Sequence, residues 1–222
     1  MAAILFGSIS SIADTSELQR QAFNDAFAQH GLSWHWDQDD YRTLLTSSGG
    51  AQRVADYAAS RGEQVDAAAV HATKSEMFQR SLVSSGIAPR DGVADTIHAA
   101  KDAGEKVALV SGTSAENLTA LLSALSPEVS ESDFDLVMTS ADVDKPKPDP
   151  SEYTDAVQRL QEQPEDCIAV EDNVPGVQAA VAAGVTCVAF PNTNTVAHDF
   201  GAARETVSRV EFSELQNLRR SA

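Results

Sequence analysis

Five short, mainly apolar runs punctuate the chain, at residues 2–6, 107–110, 134–138, 167–170 and 185–190, and each leads into a stretch with helical spacing. A strand covered on both faces reads as a nearly unbroken apolar run, whereas a half-exposed strand alternates. The runs therefore predict strands of a parallel sheet. Helical patterns at 93–103, 115–125, 151–161 and 176–183 lie between them, and Gly104 and Gly184 follow two of these as helix stops. Alternating strand and helix predicts an α/β fold, a Rossmann-like doubly wound parallel sheet.

One interval breaks this rhythm. From 16 to 87 the pattern is helical throughout: Leu18, Ala22, Phe23 and Phe27 share a face, as do Tyr41, Leu44 and Leu45, then Val54, Tyr57 and Ala58, before a long helical stretch over 65–83. An insert of this length is not a loop. It predicts an all-helical cap over the strand ends, where open α/β sheets bind ligands. The domain reading is a core of 1–15 and 88–222 with a cap of 16–87. Trp34 and Trp36 are expected to pack the cap.

Charge narrows the partners. With 33 acidic against 16 basic residues the net charge is −17, which argues against nucleic acid and anionic membrane surfaces. Any phosphate site in such a chain needs local positive charge. No apolar run approaches the ~18 residues of a membrane span, and the start MAAILFGSIS lacks the basic, long-apolar pattern of a signal peptide. Cys167 and Cys187 sit in apolar runs, as buried reduced thiols do. These features predict a cytoplasmic protein. The five histidines show no metal-ligand spacing.

Four segments carry candidate chemistry. Val110-Ser111-Gly112-Thr113 ends a strand on a hydroxyl and free N–H groups that can hold phosphate oxygens, although such a turn also serves simply as a helix cap. Around Lys147, three prolines stiffen Pro146-Lys147-Pro148-Asp149-Pro150 and would fix a lysine in place; a solvated charged loop is the alternative. Glu171-Asp172 closes the fourth strand, and two acids there must be solvated, paired or bound to a cation such as Mg²⁺. Gly49-Gly50 precedes Arg53, whose planar guanidinium suits phosphate oxygens, unless the glycines are only a joint and the arginine only surface.

Together these segments resemble the haloacid dehalogenase-like superfamily, in its CbbY and β-phosphoglucomutase-like branch. The resemblance spans nearly the whole chain. It rests on Arg20-Gln21-Ala22-Phe23-Asn24, Trp34-His35-Trp36-Asp37, Tyr41 to Leu45 through Gly49-Gly50 to Arg53, and Thr113-Ser114-Ala115-Glu116-Asn117. It continues in Lys147-Pro148-Asp149-Pro150 with Tyr153, Glu171-Asp172-Asn173 with Gly176, and Pro191-Asn192 to Asp199-Phe200. It implies a Rossmann-like core with a cap inserted after the first strand, and Mg²⁺-dependent cleavage or transfer of phosphoryl groups, in CbbY-like proteins on sugar bisphosphates such as xylulose 1,5-bisphosphate. It implies that Ser111, Gly112 and Lys147 hold the phosphoryl group, that Glu171 and Asp172 hold the metal, and that Gly49, Gly50 and Arg53 meet the far end of the substrate. Asp14 and Thr15 match the hinge into the cap.

The first motif departs from that pattern. The superfamily opens Asp-x-Asp-Gly-Thr-Leu, and this chain reads Gly7-Ser8-Ile9-Ser10-Ser11-Ile12. Gly7 stands where relatives have the nucleophile and metal ligand, Ile9 where they have the acid/base, so neither catalytic acid is intact. Losing a covalent nucleophile costs about 10⁴- to 10⁶-fold in turnover, or about 5–8 kcal/mol of barrier. Mg²⁺ binding is expected to be weak or absent, with Lys147 left to pair with Glu171 and Asp172. The expectation is a pseudoenzyme that keeps a phosphosugar pocket and has a possible regulatory or protein-binding role. The alternatives are an active Mg²⁺-dependent phosphatase with altered chemistry, using water or the hydroxyl of Ser8 or Ser10, and an interaction protein whose pocket Ile9 has collapsed.

Overall fold

A computed structural model describes residues 2–47 and 49–220; Met1, Ser48, Ser221 and Ala222 lie outside the described residues. Its centre is a sheet of six strands, all paired in parallel. They are β1 (Ala3–Phe6), β2 (Lys106–Val110), β3 (Leu136–Met138), β4 (Cys167–Glu171), β5 (Thr186–Ala189) and β6 (Glu205–Thr206), in the order β3-β2-β1-β4-β5-β6. Five of these coincide with the apolar runs. β6 is two exposed residues and has no apolar run to announce it.

Side chains alternate across the sheet with period two, and this splits the interior into two cores. Ile4, Phe6, Val107, Leu109, Ile168, Val170 and Val188 face one way. Ala3, Leu5, Ala108, Val110, Cys167, Ala169, Cys187 and Ala189 face the other. The first face carries bulky chains and packs against Ile97 of α6 (Val93–Asp102), Leu118 and Leu121 of α7 (Ala115–Leu125) and Leu215 of α10 (Phe212–Arg220). The second is rich in Ala and Cys and receives Tyr153, Ala156 and Val157 of α8 (Ser151–Leu160) and Val177 and Ala180 of α9 (Val174–Ala182). Both cysteines are free and buried.

Between β1 and β2 the chain forms α1 (Ile9–Ile12), α2 (Ser16–Gln29), α3 (Gln38–Leu44), α4 (Gly50–Ser60) and α5 (Ala67–Ser85). The last four build the cap. It is not helical throughout: residues 33–37 have no regular structure. Asn24 holds that segment by donating to the Trp36 carbonyl at 3.0 Å and accepting from the Trp36 N–H at 2.8 Å. The reason is packing. Trp36 is fully buried with the ring centroids of Phe23, Phe27, Tyr41 and Tyr57 4.6–6.3 Å away, Trp34 belongs to the same cluster, and a loop delivers both indoles inward as a helix could not. Asp37 and Asp66 cap α3 and α5, and Gly86 ends α5 in the left-handed conformation.

Both limbs joining cap to core are tied to the loop after β5. Asp14 accepts from the Thr193 N–H and hydroxyl. Arg90 donates to the carbonyls of Ser10, Phe190 and Pro191 and stacks on Phe190. Gln79 of α5 reaches Asn117 of α7 at 2.9 Å. Among the described residues no helix is long and apolar enough to cross a membrane.

Candidate functional site

The carboxyl ends of β1, β2 and β4 face the cap across a cavity of about 490 Å³. Gly7, Ile9, Ser111, Gly112, Lys147 and Asp172 line its core side, and Gly49, Gly50 and Arg53 line the cap side. Glu171 lies just beneath, with 0% exposure. The candidate residues thus come together. Ile9 is buried in α1 and packs into the first core. The cavity stays open beside it, which counts against the alternative of a pocket collapsed by Ile9.

Lys147 is the hub of the core end. Its ammonium donates to the carbonyls of Gly7 and Val110 and to Glu171 Oε1, the last at 2.7 Å, and Glu152 Oε2 faces it at 3.4 Å. Its second carboxylate neighbour is therefore Glu152, not Asp172 as expected. Glu152 sits in the first turn of α8, which starts directly after Pro150 and brings that side chain back over the lysine. Burial pulls the ammonium down, but Glu171 and Glu152 outweigh it and hold Lys147 protonated above its usual range. Tyr153 donates to Glu171 Oε1 at 2.8 Å; burial, then the Glu171 charge, lifts its hydroxyl well above the ordinary value and keeps it a donor.

Glu171 has this place because two glycines leave room for it. A Cβ on Gly7 would fall 2.0 Å from Tyr153 Oη and 2.1 Å from Glu171 Oε1, and a Cβ on Gly176 would fall 2.1 Å from the same carboxyl. The tip of β1 thus has no space for a side chain in this arrangement, and the Glu171 carboxylate occupies that volume.

Asp172 is held separately. Its Oδ1 accepts from the Ser8 hydroxyl at 2.5 Å and from Asn173 at 2.8 Å, and its Oδ2 from Asn192. Ser8 also caps α1, its hydroxyl accepting from the Ser11 N–H. The fit of this site to Mg²⁺ is poor. Glu171 Oε1 is taken by Lys147 and Tyr153, its Oε2 accepts from Asn173 at 3.3 Å, both Asp172 oxygens are engaged, and the Gly7 carbonyl is turned to Lys147. Among the described residues no group of three or more His, Cys, Asp or Glu is placed to hold a metal. A hard cation of this kind needs about six oxygen ligands with several anionic or water donors free to turn to it.

The cap end has the opposite sign. Gly49 has φ +89°, and a Cβ on Gly50 would fall 2.4 Å from His71 Nε2, so the glycine pair lets the helix start close against the imidazole. Arg53 is buried, donating to the carbonyls of Leu44 and Ser47. Lys74 of α5 is buried 4.9 Å from the Phe23 ring and 5.0 Å from Phe78, and donates to Gln19 Oε1 at 2.9 Å. Burial, then the Arg53 charge, pulls Lys74 down to about 7; burial, then Lys74 and Arg53, pulls His71 down to about 4.

Residues 7–184 match the haloacid dehalogenase-like hydrolase family. The chain belongs to that family. The CbbY protein of Cereibacter sphaeroides is 36% identical over 219 residues, covering 97% of this chain and 94% of that one. The CbbY protein of Rhodobacter capsulatus is 34% identical over 204 residues, 90% of each chain. The crystal structure of CbbY from Rhodobacter sphaeroides in complex with phosphate superposes with a TM-score of 0.87 at 36% identity, covering 97% of this chain and 96% of that one. A variant of the same protein in complex with xylulose 1,5-bisphosphate gives 0.88 at the same identity and coverage. As a haloacid dehalogenase-like chain this one is therefore a CbbY-type homologue with the expected core and capped sheet.

Three residues of this haloacid dehalogenase-like site went unread in the sequence: Glu152, Lys74 and His71, all lining the cavity. Lys74 left a signal. Val70, Lys74, Phe78 and Leu82 recur every four residues along α5 and all are buried, so a lysine stands inside an apolar stripe. Glu152 left none, since an acid in a first helical turn is ordinary.

Proposed function

We propose that this chain is a CbbY-type pseudoenzyme: a phosphosugar-binding protein that performs no phosphoryl transfer. The observation that carries this reading is the tip of β1, where Gly7 offers no side chain and the carboxylate of Glu171, paired to Lys147, fills the adjoining volume. A phosphoryl group cannot be captured by a residue with no nucleophilic atom, and Ile9 cannot donate a proton to a leaving group. The cavity that remains supports a small phosphorylated sugar, with Ser111, Gly112 and Lys147 at one end and Gly49, Gly50 and Arg53 at the other. Xylulose 1,5-bisphosphate is bound by a CbbY structure of this shape. A cytoplasmic setting fits the free, buried cysteines, and a regulatory output through a protein partner fits a binding protein without turnover.

One observation favours a second reading. The Ser8 hydroxyl, at the tip of β1, lies 2.5 Å from Asp172 Oδ1, the arrangement of a serine beside a base, so an altered phosphatase would use Ser8. One assay separates the two. Phosphate release is measured at high protein concentration, with Mg²⁺, from a panel of sugar mono- and bisphosphates that includes xylulose 1,5-bisphosphate. The pseudoenzyme gives no release above the protein-free control. Robust metal-dependent turnover refutes it, and loss of that turnover in Ser8→Ala assigns it to the serine.

A further inference from the structure

Resting on the reading of a phosphosugar pocket, we infer that the pocket takes a sugar monophosphate with its phosphate at the cap end, and that binding needs no Mg²⁺ because the core end of the cavity refuses both the cation and a phosphoryl group.

The two ends differ in charge and in free donors. At the core end, Lys147 faces Glu152 and Glu171, with Asp172 alongside. The next cation, Arg90, directs its guanidinium to the carbonyls of Ser10, Phe190 and Pro191. An ammonium has three N–H donors, and those of Lys147 already meet Gly7 O, Val110 O and Glu171 Oε1. A phosphate dianion placed there would meet three carboxylates and no free ammonium donor. The metal that could offset that repulsion has no ligand set to hold it, as the engaged oxygens of Glu171 and Asp172 show.

At the cap end the position is reversed. Arg53 gives N–H bonds to two backbone carbonyls out of five donors, and Lys74 gives one to Gln19 out of three. Among the described residues neither cation pairs with a carboxylate; the charge acting on Lys74 is that of Arg53, and Tyr41 beside Arg53 is uncharged near neutral pH because burial pushes its hydroxyl up to about 12. The rings of Phe23 and Phe78 shield the ammonium from solvent. A phosphate here gains two charge-assisted contacts in a site of low dielectric. The uncharged hydroxyl and carbonyl end of the sugar is left for Ser111, Gly112 and Asn117, which line the far side.

The test is calorimetric titration of the full chain with D-xylulose 5-phosphate and with D-xylulose 1,5-bisphosphate, each in EDTA and in millimolar Mg²⁺. The expected dissociation constant of the monophosphate is the same within about twofold in EDTA and in Mg²⁺, the bisphosphate binds no tighter than the monophosphate in either condition, and Lys74→Gln weakens binding of the monophosphate by at least about tenfold. A gain of about tenfold or more from Mg²⁺ or from the second phosphate, or an affinity unchanged in Lys74→Gln, overturns the inference while leaving the phosphosugar pocket standing. Absence of heat with either sugar in every condition instead removes the pocket reading itself, and this inference with it. Circular dichroism of Lys74→Gln establishes that it folds.

Discussion

Replacing Gly7 by alanine adds one methyl group at the place where the core end is most crowded. The new Cβ would fall 2.0 Å from Tyr153 Oη and 2.1 Å from Glu171 Oε1. Glu171 cannot simply swing back, because on its other side it lies against Gly176, where a Cβ would be equally close. The methyl must therefore push the carboxylate off Lys147 or move the strand. Taking one partner from a buried ion pair costs about 3–5 kcal/mol, and overpacking alone costs about 1–3 kcal/mol. Lys147 keeps two carbonyl acceptors and Glu152, which places the loss at the lower end, about 3 kcal/mol. For a chain of this size that corresponds to a fall in Tm of roughly 6–12 °C. Thermal melting followed by circular dichroism at neutral pH in EDTA reads it directly. A fall of less than about 2 °C would mean that Glu171 does not fill the space beside Gly7, and the account of why the site rejects metal would go with it. Gly7→Asp is the companion variant. It adds the same Cβ plus a fourth carboxylate beside Glu152, Glu171 and Asp172, so Mg²⁺ is expected to raise its melting temperature while leaving that of the wild type unchanged.

Further outcomes follow from the cap. Lys74 faces Arg53, His71 and Gln19, and only Lys74 itself titrates near neutrality, at about 7. A bound phosphate favours its ammonium form, so affinity for a sugar monophosphate should fall by up to about tenfold per pH unit above that value, with proton uptake visible as buffer-dependent heat; an affinity flat from neutral to alkaline pH would count against Lys74 as the anchor. The same shift acts with the opposite sense on the free fold. Because the folded pKa lies below the unfolded 10.5, the burial penalty is present in full below about 7 and is relieved as pH rises toward 10.5. Lys74→Met should therefore stabilise the protein more at acidic than at alkaline pH, as urea titrations at the two pH values would read. Trp36→Ala removes the centre of the aromatic cluster and should cost about 3–5 kcal/mol. Hydrogen exchange should show that loss in α2 to α5 and not in β1, β2 and β4; uniform loss would mean the cap has no core of its own.

The fold was largely legible because a two-sided sheet imposes a demanding pattern. Residues 167–170 must be apolar at every position when Ile168 and Val170 enter one core while Cys167 and Ala169 enter the other. The cap was legible as a helical block and misread at 33–37, where spacing alone does not reveal that Trp34 and Trp36 enter the cluster from an irregular segment pinned by Asn24. β6 and α10 escaped because their contribution is peripheral: β6 is exposed, and Leu215 is the residue α10 buries in the first core. At the site, motif segments pointed to the residues around the cavity, but pairing could not be read from them. That Lys147 takes Glu152, and that Asp172 turns instead to Ser8 and Asn192, depends on where α8 and the loop after β5 sit in space.

That loop has a mechanical consequence. Within residues 190–195, Asn192 grips Asp172, Thr193 grips Asp14, the carbonyls of Phe190 and Pro191 take Arg90, and Asn194 holds Glu17 of α2 at 2.6 Å. Outgoing limb, returning limb and strand-end acid are thus moored to one short stretch of backbone. Displacing any one of these contacts would strain the others, so an event at Asp172 would reach the lid without passing through the sheet, and the phosphosugar-binding protein proposed above would have a linkage by which to report occupancy.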